Sequence, residues 1–550
     1  MKASSIYAVY FILAASLSIQ SGFSQKKSPT AEIEPYYDLA LTQAERDSLL
    51  RGLEDYQKSF QAIHQFKLAN SIGMSLVFDP MPTGMQIETV QKPIDWGLPK
   101  DVPLPVNKED LAFYPVYKLA VLLRNKKITS TELTQLYLSR LKKYADTLQC
   151  TITLLENTAL AQAKKADDEI AKGKYRGLLH GIPYGIKDLL SVKGVETTWG
   201  AEPYRGQVFS ETATVVKKLE AAGAVLLVKL TLGALAMGDI WFGGVTKNPW
   251  NLKEGSSGSS AGSASATVAG LVAFAIGTET LGSIVSPSTR CGASGLRPTF
   301  GRVSKYGAMA LSWSMDKIGP ITRSALDCAI VFDAIRGADG LDNQVRDAAF
   351  NYSAKTDLKK LKVGYLKTLF DASYPTKAND QKTLDAIKAL GIELTPVELP
   401  SDIPVSAVRL MLTAEAAAAF DELTRSNRDS LLVNQSRWAW PNTFRTARFI
   451  PAVEYINASR IRQQLIQEYY AKTKDFDIII SPSFGGTQLL TTNLTGHPCL
   501  VVPNGFNDKG SPTSISFLGK LFGEAAIVSL AHAYQQASEW EDRVPPLFKD

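Results

Sequence analysis

Residues 255–303 constrain the fold of this chain more than any other stretch, because they combine Gly/Ser-rich turns with an apolar run. A Gly/Ser run over residues 255–263 leads into the apolar residues 264–276 and then into a second turn over residues 278–283. Glycine allows positive φ angles and close backbone approach, so such turns can present a hydroxyl beside bare N–H groups. An isolated Gly/Ser run is typical of a flexible linker, but its continuation into an apolar run favours a position inside a domain. Acyl-transfer chemistry requires groups of this kind.

Two other motif assignments to this stretch are not supported by their sequence context. Residues 258–262 match the pattern of a nucleophile elbow, which would make Ser260 the nucleophile of an α/β-hydrolase. An elbow follows a hydrophobic strand, whereas residues 248–254 are polar and contain a proline. A phosphate-binding loop would end in Gly-Lys-Ser/Thr, and this stretch has no such lysine.

Several motifs in a fixed order resemble those of the amidase signature family of serine hydrolases. They are HGIPYGIKDLL from residue 180, GSSGSSAGSA from residue 255, GTETLGSI from residue 277, CGASGLRPTFGRVSKYG from residue 291 and NLTGHPCLVVPNG from residue 493. The resemblance extends over about residues 112–537. It implies an α/β fold with a large mixed central β-sheet covered by helices on both faces. It also implies hydrolysis of a linear, non-peptide carboxylic amide to an acid and ammonia or an amine.

The resemblance implies three catalytic residues. The lysine of the GIPYGIKD motif is Lys187, the serine of the first Gly/Ser motif is Ser259, and the serine that closes the second turn is Ser283. The spacing of 24 positions between the two serines fits the family's arrangement, which favours Ser259 over the neighbouring serines at 256, 257 and 260. In the family, a cis peptide bond precedes the first serine. By this resemblance Ser283 attacks the carbonyl, and Ser259 passes its proton to Lys187.

The choice of a lysine base also follows from what the chain contains. A serine hydroxyl is a weak nucleophile until a base removes its proton. The four histidines are His64, His180, His497 and His532, and no flanking sequence indicates a Ser-His-Asp triad. A lysine that ends an apolar strand is by itself more often structural. Burial away from a carboxylate would lower the pKa of Lys187 and leave it neutral, and Asp188 should point to the opposite face of the strand.

The resemblance also implies an oxyanion hole and an acyl pocket. The backbone N–H groups of Thr280, Leu281, Gly282 and Ser283 would hold the oxyanion. The sequence has Glu279, Leu281 and Val285 where the family commonly has aspartate, glycine and arginine. Ala236, Met237 and Gly238 would lie beside the nucleophile and suit an uncharged acyl group, although Met237 fits an ordinary helix core equally well.

The chain divides into three regions in this interpretation. Residues 1–24 are typical of a signal peptide cleaved after Ser24, which predicts a periplasmic or secreted protein. The apolar run at residues 6–19 is shorter than a membrane anchor of about 20 residues, so no stable membrane span is expected. Residues 25–105 predict a helical arm, with a helix over residues 41–72. Residues 106–550 form the amidase signature domain, with a peripheral helical insertion over about residues 343–475.

Individual elements can also be predicted. A capping box at residues 129–132 begins a helix that runs to about residue 145, and a further helix is expected over residues 232–237. A strand, a helix and a strand between residues 362 and 399 should belong to the peripheral insertion. Alternation of strands and helices before residue 240 is typical of an α/β fold.

Composition restricts the partners. The net charge of +6 is spread without a basic block, so nothing indicates nucleic acid. Four cysteines without a CxxC pair, and histidines without ligand spacing, predict no metal, and the family chemistry needs no cofactor. A small-molecule amide is the expected partner, and both monomer and homodimer remain open. A signal peptide argues against the related glutaminase subunit of tRNA-dependent amidotransferases, which acts in the cytosol.

Two alternative functions come from other classes. A penicillin-recognising Ser-Lys hydrolase would use an SxxK motif, and both Ser314 with Lys317 and Ser139 with Lys142 match it, but a KTG motif is missing. A non-catalytic binding protein could use the same scaffold, because fold does not fix function. Retention of Lys187, Ser259 and Ser283 together favours catalysis.

Overall fold

The computed structural model describes residues 30–65, 69–538 and 540–549. The predicted signal peptide, residues 1–24, lies outside the described residues, so it remains a prediction. Two compact units are present, Met1–Leu68 and Ala69–Asp550. In the first unit a helix, α1, runs over Gln43–Gln65, within the helix predicted for residues 41–72.

The second unit contains fifteen strands among its described residues. They are β1 (Thr151–Leu154), β2 (Pro183–Lys187), β3 (Val225–Leu230), β4 (Ile240–Trp241), β5 (Gly244–Val245), β6 (Lys247–Asn248), β7 (Asn251–Gly255), β8 (Phe274–Glu279), β9 (Ser294–Arg297), β10 (Lys317–Thr322), β11 (Val363–Leu366), β12 (Leu394–Val397), β13 (Ile478–Pro482), β14 (Cys499–Phe506) and β15 (Pro512–Gly519).

The α-helices described in the second unit flank these strands. They are α2 (Val116–Arg124), α3 (Ser130–Leu148), α4 (Glu156–Ala171), α5 (Thr214–Ala221), α6 (Ala261–Val268), α7 (Val285–Cys291), α8 (Ala325–Ile335), α9 (Lys367–Asp371), α10 (Lys377–Ala389), α11 (Val405–Val408), α12 (Leu410–Ala419), α13 (Asp421–Arg425), α14 (Trp440–Ala447), α15 (Ala452–Thr473), α16 (Gln488–Leu494) and α17 (Glu524–Ser538). None of the helices in the described residues is long and apolar enough to cross a membrane.

Eleven strands form one mixed sheet in the order β1-β3-β2-β8-β10-β9-β14-β15-β13-β11-β12. Strands β3, β2 and β8 are parallel neighbours, whereas β8, β10, β9, β14, β15 and β13 pair antiparallel. Strands β2 and β3 are buried along their whole length, as expected for strands covered by helices on both faces. The predicted large mixed sheet flanked by helices is confirmed.

Local sequence signals place several elements well. The side chain of Thr129 accepts a hydrogen bond from the backbone N–H of Glu132, and the Glu132 carboxylate accepts one from the backbone N–H of Thr129. This is the predicted capping box, and α3 begins directly after it. Strand β3 and helix α8 likewise follow their apolar runs.

The helix predicted over residues 232–237 is wrong. A single 3-10 turn, Ala234–Ala236, replaces it, because Leu235 and Ala236 adopt φ angles of +51° and +63°, which a right-handed helix does not allow. The indole Nε1 of Trp440 donates to the Leu235 carbonyl at 2.9 Å and fixes the turn from a distant part of the chain. Local periodicity cannot report such a contact.

Two regions assigned to the periphery take part in the main unit. Strands β11 and β12 extend the edge of the eleven-stranded sheet through the parallel pairing of β11 with β13. Residues 69–105 contain no described helix, and Gln91 and Asp95 make hydrogen bonds or bridge pairs with residues 350–353. The boundary placed at residue 105 therefore stays a prediction.

Candidate active site

Lys187 ends strand β2 at the edge of the sheet where the parallel strands β3, β2 and β8 all have their carboxyl ends. Crevices at this edge are the usual ligand sites of open α/β sheets. The side chain is fully buried. Its Nζ lies 2.8 Å from Ser259 Oγ, 3.1 Å from Ser260 Oγ and 2.9 Å from Thr278 Oγ1.

Three hydroxyl groups therefore surround an amine for which the described residues supply no ion-pair partner. Burial lowers the pKa of Lys187 from 10.5 to about 7, because the ammonium form loses its water, while the more distant Asp316 and Glu279 oppose the change. A lysine with this pKa is partly neutral near pH 7. It can therefore accept a proton from a neighbouring hydroxyl.

Ser259 lies in the loop between β7 and α6. The peptide bond between Gly258 and Ser259 is cis, as the family resemblance implies. The loop packs tightly on the 234–238 turn, since a Cβ added to Gly258 would lie 1.9 Å from the Gly238 carbonyl oxygen. Only glycine fits at position 258, and this contact fixes the backbone directly before Ser259.

Ser283 lies in the turn between β8 and α7, which touches the Ser259 loop. The Ser260 N–H donates to the Ser283 carbonyl at 3.1 Å, and the hydroxyls of Ser257 and Ser286 lie 2.8 Å apart. Ser283 retains 8% exposure, which leaves its side chain open to the crevice. The two loops thus form one connected wall beside Lys187.

The turn before Ser283 presents unused backbone donors. Gly282 adopts a φ of +84°, which favours glycine at this position. Within the described part of the chain, the N–H groups of Leu281, Gly282 and Ser283 donate to no acceptor. Donors arranged in this way can bind a developing oxyanion.

Glu279 holds this turn at both ends. It is the last residue of β8, and its Oε2 accepts from the N–H groups of Ile284 and Val285 at 2.8 and 3.0 Å. Its Oε1 accepts from Arg297 Nη1 and Asn493 Nδ2, each at 2.8 Å. Burial by itself would raise the pKa of Glu279, but Arg297 and these hydrogen bonds bring it down to about 2. The carboxylate is therefore an anionic brace for the turn.

Asp316 holds the same turn from a second side. Its Oδ1 accepts from Thr280 Oγ1 at 2.6 Å, and its Oδ2 accepts from the N–H groups of Leu311 and Ser312 at 2.8 and 3.0 Å. Thr280 thus has a fixed side chain. The fold supports the turn at its strand end, its helix end and its middle.

The three predicted substrate-binding residues lie on two sides of the 234–238 turn. Ala236 lines a cavity of about 150 Å³ together with Thr278 and Thr280. Met237 and Gly238 line a second cavity of about 100 Å³ beside Trp440. The positive φ angles of the turn separate these neighbours in sequence, and their role in binding stays a prediction.

Known proteins share the sequence pattern of this chain. The pattern of the family described as Amidase matches residues 132–491. The chain belongs to the amidase family. A glutamyl-tRNA(Gln) amidotransferase subunit from Marinomonas sp. (strain MWYL1) is 33% identical over 478 residues, which cover 78% of this amidase and 98% of that protein.

Solved structures agree with this assignment. Native peptide amidase from Stenotrophomonas maltophilia superposes on this amidase with a TM-score of 0.70 at 29% identity, covering 80% of this chain and 100% of that chain. An amidase family protein from Bacillus anthracis str. Ames superposes with a TM-score of 0.71 at 26% identity, covering 80% and 93%. The amidase family assignment, its fold and an amidohydrolase activity are therefore confirmed.

The alternative SxxK serines of this amidase are engaged elsewhere. Ser314 Oγ donates to Glu415 Oε1 at 2.6 Å and accepts from Arg462 Nη1 at 2.9 Å, while Lys317 Nζ bonds to the Met315 carbonyl. On the exposed face of α3, Ser139 donates to a backbone carbonyl and Lys142 pairs with Glu156. Neither motif places its serine on its lysine.

Other predicted groups of the amidase can also be placed. His180 and His532 have pKa values lowered by burial, and burial brings the pKa of His497 to about 3. None of these three rings has a serine partner in the described residues. All four cysteines are buried and free. No group of three metal-ligating side chains occurs in the described part of the amidase.

Sequence reasoning missed two contacts of the lysine in this amidase. Thr278 and Ser260 both bond to Lys187, and Ser260 Oγ also accepts from the Thr278 N–H at 3.1 Å. Alternation along β8 puts residues 278 and 280 on one face, which was the available signal for Thr278. Ser260 had no comparable signal, because its neighbours in the Gly/Ser run look alike.

Proposed function

We propose that this amidase hydrolyses a linear, non-peptide carboxylic amide through an acyl-enzyme on Ser283, with Ser259 as proton relay and Lys187 as base. The observation that carries this proposal is the 2.8 Å contact between Lys187 Nζ and Ser259 Oγ in a buried setting. A lysine with a pKa near 7 is suited to the task, because a general base works best when its pKa lies near the working pH.

In the proposed mechanism, the Ser283 hydroxyl oxygen forms a bond to the amide carbonyl carbon. Its proton passes to Ser259, and the Ser259 proton passes to Lys187. The C–N bond then breaks as the relay runs in reverse and protonates the leaving nitrogen. Water attacks the resulting ester by the same relay, which releases the acid and restores Ser283. The balance is one amide plus one water to one acid plus ammonia or an amine.

The N–H groups of Leu281, Gly282 and Ser283, with that of Thr280, would hold the carbonyl oxygen as it gains charge. The first three donate to no acceptor in the described residues, which supports this role for them. Glu279 and Asp316 fix the turn on both sides, so the donors need no rearrangement during the reaction.

The substrate is proposed to be a free small-molecule amide. The relatives act in different contexts by their names, one as a peptide amidase and one as part of a glutamyl-tRNA(Gln) amidotransferase. Residues 1–24 favour a periplasmic or secreted protein, where tRNA is not available. We therefore group this amidase with enzymes that act on free amides outside the cytoplasm.

The test combines covalent labelling with turnover. Incubation with a fluorophosphonate probe should add one label, and peptide sequencing should place that label on Ser283. Release of ammonia or amine from a panel of amides should occur with the parent protein. Both label and turnover should vanish in Ser283→Ala, because the variant lacks the oxygen that forms the acyl bond.

Ser139→Ala is the matched control, since Ser139 is exposed and bonds only to a backbone carbonyl in the described structure. It should keep both the label and the turnover. A label on Ser314 or Ser139, or unchanged turnover in Ser283→Ala, would refute the assignment of the nucleophile. A folded parent protein that takes no label and hydrolyses no amide would support the binding-protein alternative.

A further inference from the structure

The cavity of about 150 Å³ begins at the catalytic groups. Thr278, which bonds to Lys187, and Thr280, which opens the oxyanion turn, both form part of its wall. Leu189, two residues after the lysine, and Ala236 lie in the same wall. A group attached to the scissile carbonyl could therefore enter this cavity directly.

The free surface that this cavity offers a ligand is mainly apolar. Leu189, Met309, Leu311, Trp313 and Ile318 all line it. Their side chains supply aliphatic and aromatic contacts without needing a hydrogen-bond partner in the ligand.

Charged groups in the wall already have protein partners. Lys305 Nζ donates to Gln344 Oε1 at 2.6 Å and lies 3.7 Å from Asp342 Oδ2. Both carboxylate oxygens of Asp316 accept hydrogen bonds from Thr280 and from the 311–312 backbone. The cavity therefore favours an uncharged group over an ionic one.

The size of the cavity limits that group. A protein cavity of about 150 Å³ with apolar walls is known to hold one benzene molecule. We propose that this cavity binds one ring-sized apolar group on the acyl side of the scissile bond, so that the substrates are arylalkyl amides. This inference rests on the hydrolytic function proposed above, and it narrows the substrate class of that same site.

Gly73 provides a way to fill the cavity without disturbing the catalytic groups. It lies in the wall, its φ is not in the left-handed region, and an added Cβ would meet Trp313 Cδ1 at 3.6 Å, an ordinary van der Waals contact. Gly73→Leu should therefore fold and place its side chain in the space of the ring. Gly52→Leu is the matched control, because Gly52 is exposed on α1 and an added Cβ meets no atom within 4 Å.

The experiment compares kcat/KM for 3-phenylpropanamide, butanamide and N-phenylacetamide. The parent protein should prefer 3-phenylpropanamide over butanamide by at least about tenfold, because one methylene in an apolar pocket already changes specificity about 10- to 200-fold. Gly73→Leu should reduce that ratio about tenfold or more, whereas Gly52→Leu should keep it. A preference for N-phenylacetamide over 3-phenylpropanamide would overturn the placement on the acyl side.

Calorimetric binding of 3-phenylpropanamide to Ser283→Ala protein separates this inference from the proposed function. Binding that Gly73→Leu abolishes supports the cavity assignment even if no amide is hydrolysed. Hydrolysis that shows no ring preference, or a preference that Gly73→Leu leaves unchanged, overturns the cavity assignment and leaves the hydrolytic function intact. A protein that shows neither turnover nor binding overturns both.

Discussion

Lys187 and Lys229 lie on the adjacent strands β2 and β3, and both are fully buried, yet their surroundings differ. Lys229 Nζ lies 2.7 Å from Asp188 Oδ1 and donates to the Glu196 carbonyl at 2.8 Å. Lys187 contacts only hydroxyl groups and a backbone carbonyl in the described structure. One lysine is held by a carboxylate and is structural, whereas the other is free to exchange a proton.

The residue that separates the two lysines is Asp188. It follows Lys187 directly, but it bonds to Lys229 and to the N–H and hydroxyl of Thr198 at 2.8 and 2.6 Å. Because the carboxylate is directed away from Lys187, burial is not offset there by a nearby anion. Sequence adjacency to a carboxylate therefore does not tell which lysine is its partner.

The largest expected effect is on catalysis. Lys187→Met should lower kcat/KM for the best amide about 100- to 10,000-fold, because a positioned general base contributes about that much to the rate. Steady-state kinetics at pH 8 measures this loss, with circular dichroism as a check of folding. A loss below tenfold would contradict the role of the lysine as base.

The second effect is on stability and concerns the other lysine. Lys229→Met should lower the free energy of unfolding by about 3–5 kcal/mol, because Asp188 would remain as a buried, unpaired charge. Urea denaturation at pH 7 measures this change. The double variant Lys229→Met with Asp188→Leu should recover most of the loss, and a single variant as stable as the parent would show that the ion pair does not stabilise the fold.

The smallest effect is a pH dependence that only Lys187 should produce. Since the base must be neutral, kcat/KM should fall about tenfold per pH unit below the Lys187 pKa of about 7 and level off above it. The sign for stability follows from the same shift. The folded pKa lies below the ordinary 10.5, so the unfolded chain binds more protons between pH 7 and 10.5, and Lys187 destabilises the fold most below pH 7.

Two measurements test this dependence. A pH profile of kcat/KM between pH 5 and 9 should show the single limb below pH 7. Urea denaturation of Lys187→Met and parent protein should show the variant more stable at pH 6 than the parent, with a difference that shrinks towards pH 10. A rate that does not change between pH 5 and 9 would remove the distinction between the two lysines.

Some features of this protein follow from local sequence. The capping box at residues 129–132 and strand β3 depend on hydrogen bonds and alternation within a few residues, so their signals lie in consecutive positions. The order of the Gly/Ser motifs and the GIPYGIKD motif also identified the amidase family, which the match to the family pattern confirms. Gly258 and Gly282 mark positions where backbone contact or a positive φ needs glycine.

Other features were decided by contacts between distant residues. The turn at residues 234–236 departs from its helical pattern because Trp440, about 200 positions away, bonds to Leu235. The brace of the oxyanion turn joins Glu279 to Arg297 and Asn493, and the partner of Asp188 is a lysine on another strand. The sequence by itself determined which chemical groups are present and the family to which they belong. Only the tertiary structure decided which buried lysine lacks a carboxylate, because a pKa depends on the groups packed around it and not on its neighbours in the chain.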